Sequence, residues 1–265
     1  MNLLAAAQSG WGKSAKAQNL MEKNAPEYEH MVVLDYKDEY RGFVKAGLSK
    51  WWIVGPREME WSESQWLEFL TGNPKIVLVR HPGIDEDDWR DVCATIISAA
   101  RRLSEVLIVV DEAHFVAPQS GKTPKPTKGL ATTGRGEGAS SIWVSQRPAE
   151  MEETVISQCQ SRILGGFESS ADLDKVAKVI EYPVELHNPQ VRSVPNCPDS
   201  LKPETTGRTE GSDSLQRHED DEENTIGSEW IYSDNSGERR RIDTTGMFDS
   251  MESEHLGKQG KKIKV

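Results

Sequence analysis

Cysteine is scarce in this chain: Cys93, Cys159 and Cys197 are the three in 265 residues, an odd number without a C-x-x-C pair. That excludes a disulfide framework and a cysteine zinc site. The six histidines are equally scattered. Hydrophobic residues make up only 36%, the mean hydropathy is −0.62, and no apolar run approaches the ~20 residues of a membrane span. The start of the chain lacks the charged-then-apolar pattern of a secretory signal. These absences predict a cytosolic protein without stable membrane insertion. Positive charge is also short, with 32 Lys and Arg against 43 Asp and Glu and a formal net charge of −11. A protein coated in nucleic acid is excluded, because non-specific DNA affinity comes from Lys and Arg neutralising phosphates. Any DNA contact has to be local. Such acidity suits a salt-rich cytoplasm, where a hydrated charged surface keeps a protein in solution.

What the chain does have lies at its start. Ala7-Gln8-Ser9-Gly10-Trp11-Gly12-Lys13-Ser14 sits between the apolar run Leu3 to Ala6 and a helical stretch, Ser14 to Lys23. A Gly-rich turn between strand and helix is a phosphate-binding loop, its backbone N–H groups forming an anion cradle at a helix N-terminus. Gly10, Trp11, Gly12, Lys13 and Ser14 are the expected ATP contacts, with Lys13 on the β- and γ-phosphates and the Ser14 hydroxyl on Mg²⁺. Two positions depart from the pattern: Ala7 replaces its first Gly, which requires a negative φ there, and Trp11 fills a slot that is usually small.

Further apolar runs follow at 30–36, 51–54, 75–80, 106–110, 140–146 and 162–167. They do not alternate with polar residues, as expected for strands buried on both faces of a parallel sheet. Helical patterns alternate with them: 62–70, with a Ser62/Gln65 capping box; 85–103, with acids first and Arg101-Arg102 last; 150–158; and 171–180. Alternating strands and helices predict an α/β doubly wound domain. The expected layout is an ATPase core over 1–195 and an acidic Pro/Ser/Thr-rich linker over 196–227. A hairpin at Glu229–Asp243 follows within 228–265, ending in a loose basic tail, Lys258–Lys264.

The run 106–110 ends in Asp111-Glu112, the acidic half of a nucleotide site. Asp111 is the expected partner of Ser14 on Mg²⁺, and Glu112 the group that orients and deprotonates the attacking water. The same pair would equally cap the next helix. Gln146, at the end of a strand, is placed to sense a γ-phosphate or merely to satisfy backbone groups. Arg135, in the turn Gly134-Arg135-Gly136-Glu137-Gly138, could reach a neighbouring subunit's γ-phosphate; Arg162 and Arg239-Arg240-Arg241 are rivals for that role, and a solvated loop arginine is the plain alternative. Gly121 to Lys128 carries Lys122, Lys125 and Lys128 without an acid, which reads as a DNA-facing loop or an ordinary surface loop.

Together, Gly134-Arg135, Ile142-Trp-Val-Ser-Gln-Arg-Pro148, Val155-Ile-Ser-Gln-Cys159, Arg162-Ile163 and Asp111-Glu112-Ala113-His114 resemble the HerA–FtsK superfamily of DNA-pumping ATPases, over roughly residues 2 to 182. The resemblance implies a RecA-like P-loop NTPase fold with a mainly parallel sheet and a hexameric ring. It also implies ATP- and Mg²⁺-dependent translocation of double-stranded DNA, with roles for Lys13, Ser14, Asp111, Glu112, Gln146 and Arg135 as above. A core this bare is similar to genome-packaging ATPases of membrane-containing viruses, and the acidity suits a haloarchaeal virus. Capsid or portal-vertex proteins would then be partners, and the host cytoplasm or the virion the location. A HerA-like helicase or DNA-transfer ATPase, a non-motor nucleotide switch and an inactive scaffold are the alternatives, because a fold does not settle cargo.

Overall fold

The structure, a computed structural model, describes residues 1–203, 212–221 and 225–256. Its first half runs β1 (Asn2–Ala6), α1 (Lys13–Asn24), β2 (His30–Asp35), α2 (Arg41–Lys45), β3 (Lys50–Val54), α3 (Pro56–Met59), α4 (Glu63–Thr71), β4 (Lys75–Arg80) and α5 (Glu86–Ala100). Then come β5 (Val106–Val110), α6 (Ala113–Val116), α7 (Lys125–Thr132), β6 (Ala139–Ser145), α8 (Glu153–Ser157), β7 (Ser161–Leu164) and α9 (Ser170–Ala177). Three strands follow: β8 (Arg217–Glu219), β9 (Thr225–Asp234) and β10 (Arg239–Asp243).

The strands form one sheet in the order β10–β9–β7–β1–β6–β5–β2–β4–β3, with β8 paired to β9. From β7 to β3 every pairing is parallel. The sheet is sandwiched between two apolar clusters, one built around Leu4, Trp89, Ile97 and Trp143, the other around Met21, Val33, Phe43 and Trp230. Strands buried on both faces need apolar residues at every position, and β1, β2 and β5 are buried along their whole length. The run 51–54 is the exception: β3 is an edge strand with Ile53 40% exposed.

Local signals place the helix ends. Ser62 and Gln65 form the reciprocal capping box of α4, and the Asp85 carboxylate accepts from the Asp88 amide at 2.8 Å to start α5. Three elements are shorter than the sequence suggests. The patterns at 150–158, 162–167 and 171–180 resolve into α8, β7 and α9. β7 stops before Gly165-Gly166, where a Cβ on either glycine would collide with the Trp11 ring.

The Lys-rich loop is partly helical, because α7 begins at Lys125 with Pro126 in its first turn, where a missing N–H costs nothing. Lys128 is paired with Glu152 at 3.0 Å. The hairpin expected at 229–243 forms, and its first strand β9 lies antiparallel on β7, extending the core sheet. Within the stretch read as a linker, the described residues include a buried Leu201 and Leu215 and the strand β8. Composition made that stretch look unfoldable, but its few apolar residues land on an existing core. Residues 204–211 and 222–224 of the expected linker, and the expected basic tail, lie outside the described residues.

Candidate active site

In a parallel sheet the carboxyl ends of the strands point one way, and the loops that leave them gather at a single edge. Here β1 delivers the phosphate loop, β5 delivers Asp111-Glu112, β6 delivers Gln146 and β2 delivers the turn 36–40. Gly10 (φ +79) and Gly12 (φ +77) take the left-handed conformation that a side chain would resist. Ala7 is absent from the positive-φ residues and packs against Gly165, so its Cβ is accommodated. Trp11 is 2% exposed; its indole N–H donates to the Glu229 carbonyl at 3.0 Å, and its own carbonyl accepts from Ser228 Oγ at 2.8 Å. The large residue in the small slot is thus a bolt between the loop and β9. The amides of Lys13 and Ser14 open α1, where no intrahelical acceptor exists for them.

Lys13 Nζ lies 3.6 Å from Asp111 Oδ1 and 3.5 Å from Glu112 Oε1, and all three side chains are buried. Burial pulls the Lys13 pKa down, but Asp111, Glu112 and Glu39 outweigh it and hold the ammonium charged. Burial pushes Asp111 up to about 6 against the pull of Lys13. Glu112 is the reverse: burial raises it, yet Lys13 and then Lys37 bring it below the usual carboxylate range. Lys37 Nζ sits 2.5 Å from Glu112 Oε1. Glu112 itself adopts a left-handed backbone, φ +44, uncommon for a residue with a side chain and of the kind that gathers at functional sites.

Two oxygens decide what the site can hold. Asp111 Oδ2 and Glu112 Oε2 are buried without a hydrogen-bond partner, His114 Nδ1 approaching the latter only to 3.5 Å. Buried carboxylate oxygens are rarely left so, because desolvating them is costly. Asp111 Oδ2 with the Ser14 hydroxyl is a donor set suited to a hard divalent cation such as Mg²⁺, and Glu112 Oε2 suits a water.

The turn after β2 was not singled out in the sequence, although charged residues after an apolar strand were a legible signal. The Asp35 carboxylate accepts from the amides of Lys37, Glu39 and Tyr40, each at 3.2 Å, and folds the turn. That presents Glu39 to Ser14, which hydrogen-bonds it, and Tyr40 Oη to Asp111 Oδ1 at 3.2 Å.

Asp35 titrates within reach of experiment. Burial, reinforced by Asp111, pushes it up to about 8. A carboxyl with a raised folded pKa loses stabilisation as pH rises toward and through that value, because the unfolded form has already ionised. Lys16, pulled down to about 8 by burial, has the opposite sign and offsets it. Asp35→Asn should therefore gain on the wild type by about 1 kcal/mol between pH 7 and pH 9. Denaturant midpoints at the two pH values measure this; an unchanged difference would remove Asp35 from that window.

Of the other expected residues, Gln146 lines the same cavity. Arg135 is exposed and does not line it. It precedes β6 while Gln146 follows it, so the seven residues of the strand put about 20 Å between them. Arg162 is buried and donates to Asn235 at 3.2 Å. Arg239 pairs with Glu181 at 3.0 Å, Arg240 is exposed, and Arg241 is spent on Glu229 and the carbonyls of Leu201, Asp213 and Ser214.

No protein-family model matches the chain. Solved structures share its fold. The genome packaging NTPase B204 from Sulfolobus turreted icosahedral virus 2, in complex with ATPγS, superposes with a TM-score of 0.57 at 14% identity, covering 91% of this chain and 95% of that one. VirB4 of Thermoanaerobacter pseudethanolicus gives 0.57 at 12% identity, covering 91% and 88%. In sequence, the chain is 31% identical over 98 residues to the DNA double-strand break repair helicase HerA of Pyrococcus furiosus. The comparisons thus give a shared fold with these proteins and a partial sequence likeness to HerA. The HerA match takes in 36% of this chain and 18% of the helicase, so it concerns a fraction of that protein's length. The mostly parallel sheet agrees with the RecA-like core expected of HerA–FtsK proteins. Among the described residues no helix is long and apolar enough to cross a membrane.

Proposed function

We propose that the chain is an ATP-hydrolysing motor that moves double-stranded DNA, and that its cargo is a viral genome being packaged. The observation that carries the hydrolytic half is the Lys13–Asp111–Glu112 cluster at the phosphate loop, with one unpartnered oxygen on each carboxylate. Lys13 and the first amides of α1 hold the phosphates of ATP. Ser14 and Asp111 would hold Mg²⁺, which spreads the charge of the transferring phosphoryl group. Glu112, ionised and backed by Lys37, orients the attacking water and accepts its proton, and Gln146 stands beside the γ-phosphate. Arg135, exposed and outside its own cavity, serves the neighbouring subunit's site in a ring.

The packaging reading is supported by the likeness to B204, which extends over nearly the whole of both chains. The HerA stretch favours a second reading, a repair or DNA-transfer motor built on the same engine. A hexameric ring, capsid or portal-vertex partners and a place in the host cytoplasm or virion follow from the first. Lys122 and Lys125, exposed near the start of α7, are the DNA contacts of either. ATP turnover measured with and without linear double-stranded DNA tests the motor. Stimulation that disappears in a Lys122→Ala/Lys125→Ala/Lys128→Ala variant supports it; a monomer that hydrolyses ATP at one rate with or without DNA leaves a nucleotide switch instead.

A further inference from the structure

The phosphate loop is only one wall of its cavity. The other comes from the far end of the chain: Thr225, Ser228, Thr244, Met247 and Phe248 line the same space of about 330 Å³ as Gly10, Gly12 and Lys13. This wall is built rather than draped. The Thr225 hydroxyl donates to the Gly10 carbonyl at 3.2 Å, and Ser228 Oγ to the Trp11 carbonyl at 2.8 Å. Ser228 N donates to Thr244 Oγ1 at 2.9 Å, Thr244 N returns a bond to Ser228 O at 3.0 Å, and Gly246 (φ +76) turns the chain so that Met247 N closes on Thr244 O. Further on, Ser253 is tied to Glu22 of α1, and His255 Nδ1 meets Gln18 Oε1 at 3.0 Å.

The anchored turn then presents Phe248, 44% exposed, beside Met247. An aromatic ring left in water on an anchored turn, at the rim of the cavity that holds the phosphate loop, is a stacking surface without its partner. We infer that the turn 244–250 is the seat of the nucleotide base, with Phe248 as the ring on which it stacks. This rests on the nucleotide reading of the phosphate loop. The side-chain hydroxyls of Thr225, Ser228 and Thr244 are already committed to the loop or to one another. These three hydroxyls therefore leave the base edge unread, and the wall grips a base by its face. Purines are held better than pyrimidines because two fused rings cover more of Phe248 and Met247, and ATP and GTP bind alike.

Calorimetric titration of the full chain with ATP, GTP, CTP and tripolyphosphate tests this, on wild type, Phe248→Ala and Phe248→Tyr. Phe248→Ala should weaken ATP and GTP about tenfold, as loss of one stacked base does, and leave tripolyphosphate unchanged, while Phe248→Tyr keeps wild-type affinity. Equal ATP binding by wild type and Phe248→Ala, or an equal loss for ATP and tripolyphosphate, overturns the base seat and leaves the phosphate loop standing. Failure of the wild type to bind either ligand overturns both.

Discussion

Glu112→Gln should lower ATP turnover by about 10²–10⁴-fold, the usual contribution of a general base, while ATP still binds. Glutamine keeps the size of the side chain and one acceptor oxygen but cannot take a proton. The residue is held by two cations, Lys13 at 3.5 Å and Lys37 at 2.5 Å, which keep it ionised despite burial. In the variant that pairing is lost, so Lys13 retains only Asp111 within salt-bridge distance, at 3.6 Å. Single-turnover hydrolysis alongside equilibrium ATP binding separates the two effects. Undiminished hydrolysis would remove Glu112 from the role of base; it stands at the N-cap of α6 without a side-chain bond to that helix. Lys13→Ala provides the contrast, since it should lose binding as well as turnover.

Arg135→Ala should cost 10³–10⁵-fold in turnover, about what an arginine finger supplies, with ATP binding little changed. The residue is exposed and precedes β6, whereas the cavity lies where β6 ends, so it could act on the chemistry only from across a subunit boundary. That makes complementation the decisive measurement. Mixed in equal amounts, inactive Arg135→Ala and inactive Glu112→Gln subunits should regain activity at about a quarter of their interfaces, where an intact Glu112 meets an intact Arg135 in a head-to-tail ring. A mixture as inactive as its components would exclude Arg135 and leave Arg162 and Arg239-Arg240-Arg241 as the rivals.

The sequence pointed to the edge of the sheet where Lys13, Asp111 and Glu112 meet but saw only part of it. The glycines at 10 and 12 and the acids after an apolar run were legible because their chemistry is local: a positive φ and a strand end are properties of a few adjacent residues. Lys37, Glu39 and Tyr40 were equally close to an apolar strand, yet nothing in their spacing says that Asp35 would gather their amides and turn them toward Ser14 and Asp111. The edge position of β3 was invisible for the same reason, because an apolar run does not show how many neighbours its strand will have.

By itself, then, the sequence determined the alternation of strands and helices, the loop that fits phosphates and the acids that complement it. Only the tertiary structure decided what encloses them. Trp11 is strange in the loop until Gly165-Gly166 and Glu229 are seen to receive it. The stretch from Thr225 to Phe248 reads as no more than a hairpin with a run of arginines until β9 pairs with β7 and lays it across the phosphate loop. The bonds between the phosphate loop and β9 join residues more than 200 positions apart. No local pattern records them, because they come from burying an aromatic ring and satisfying backbone carbonyls that become neighbours only once the sheet has formed.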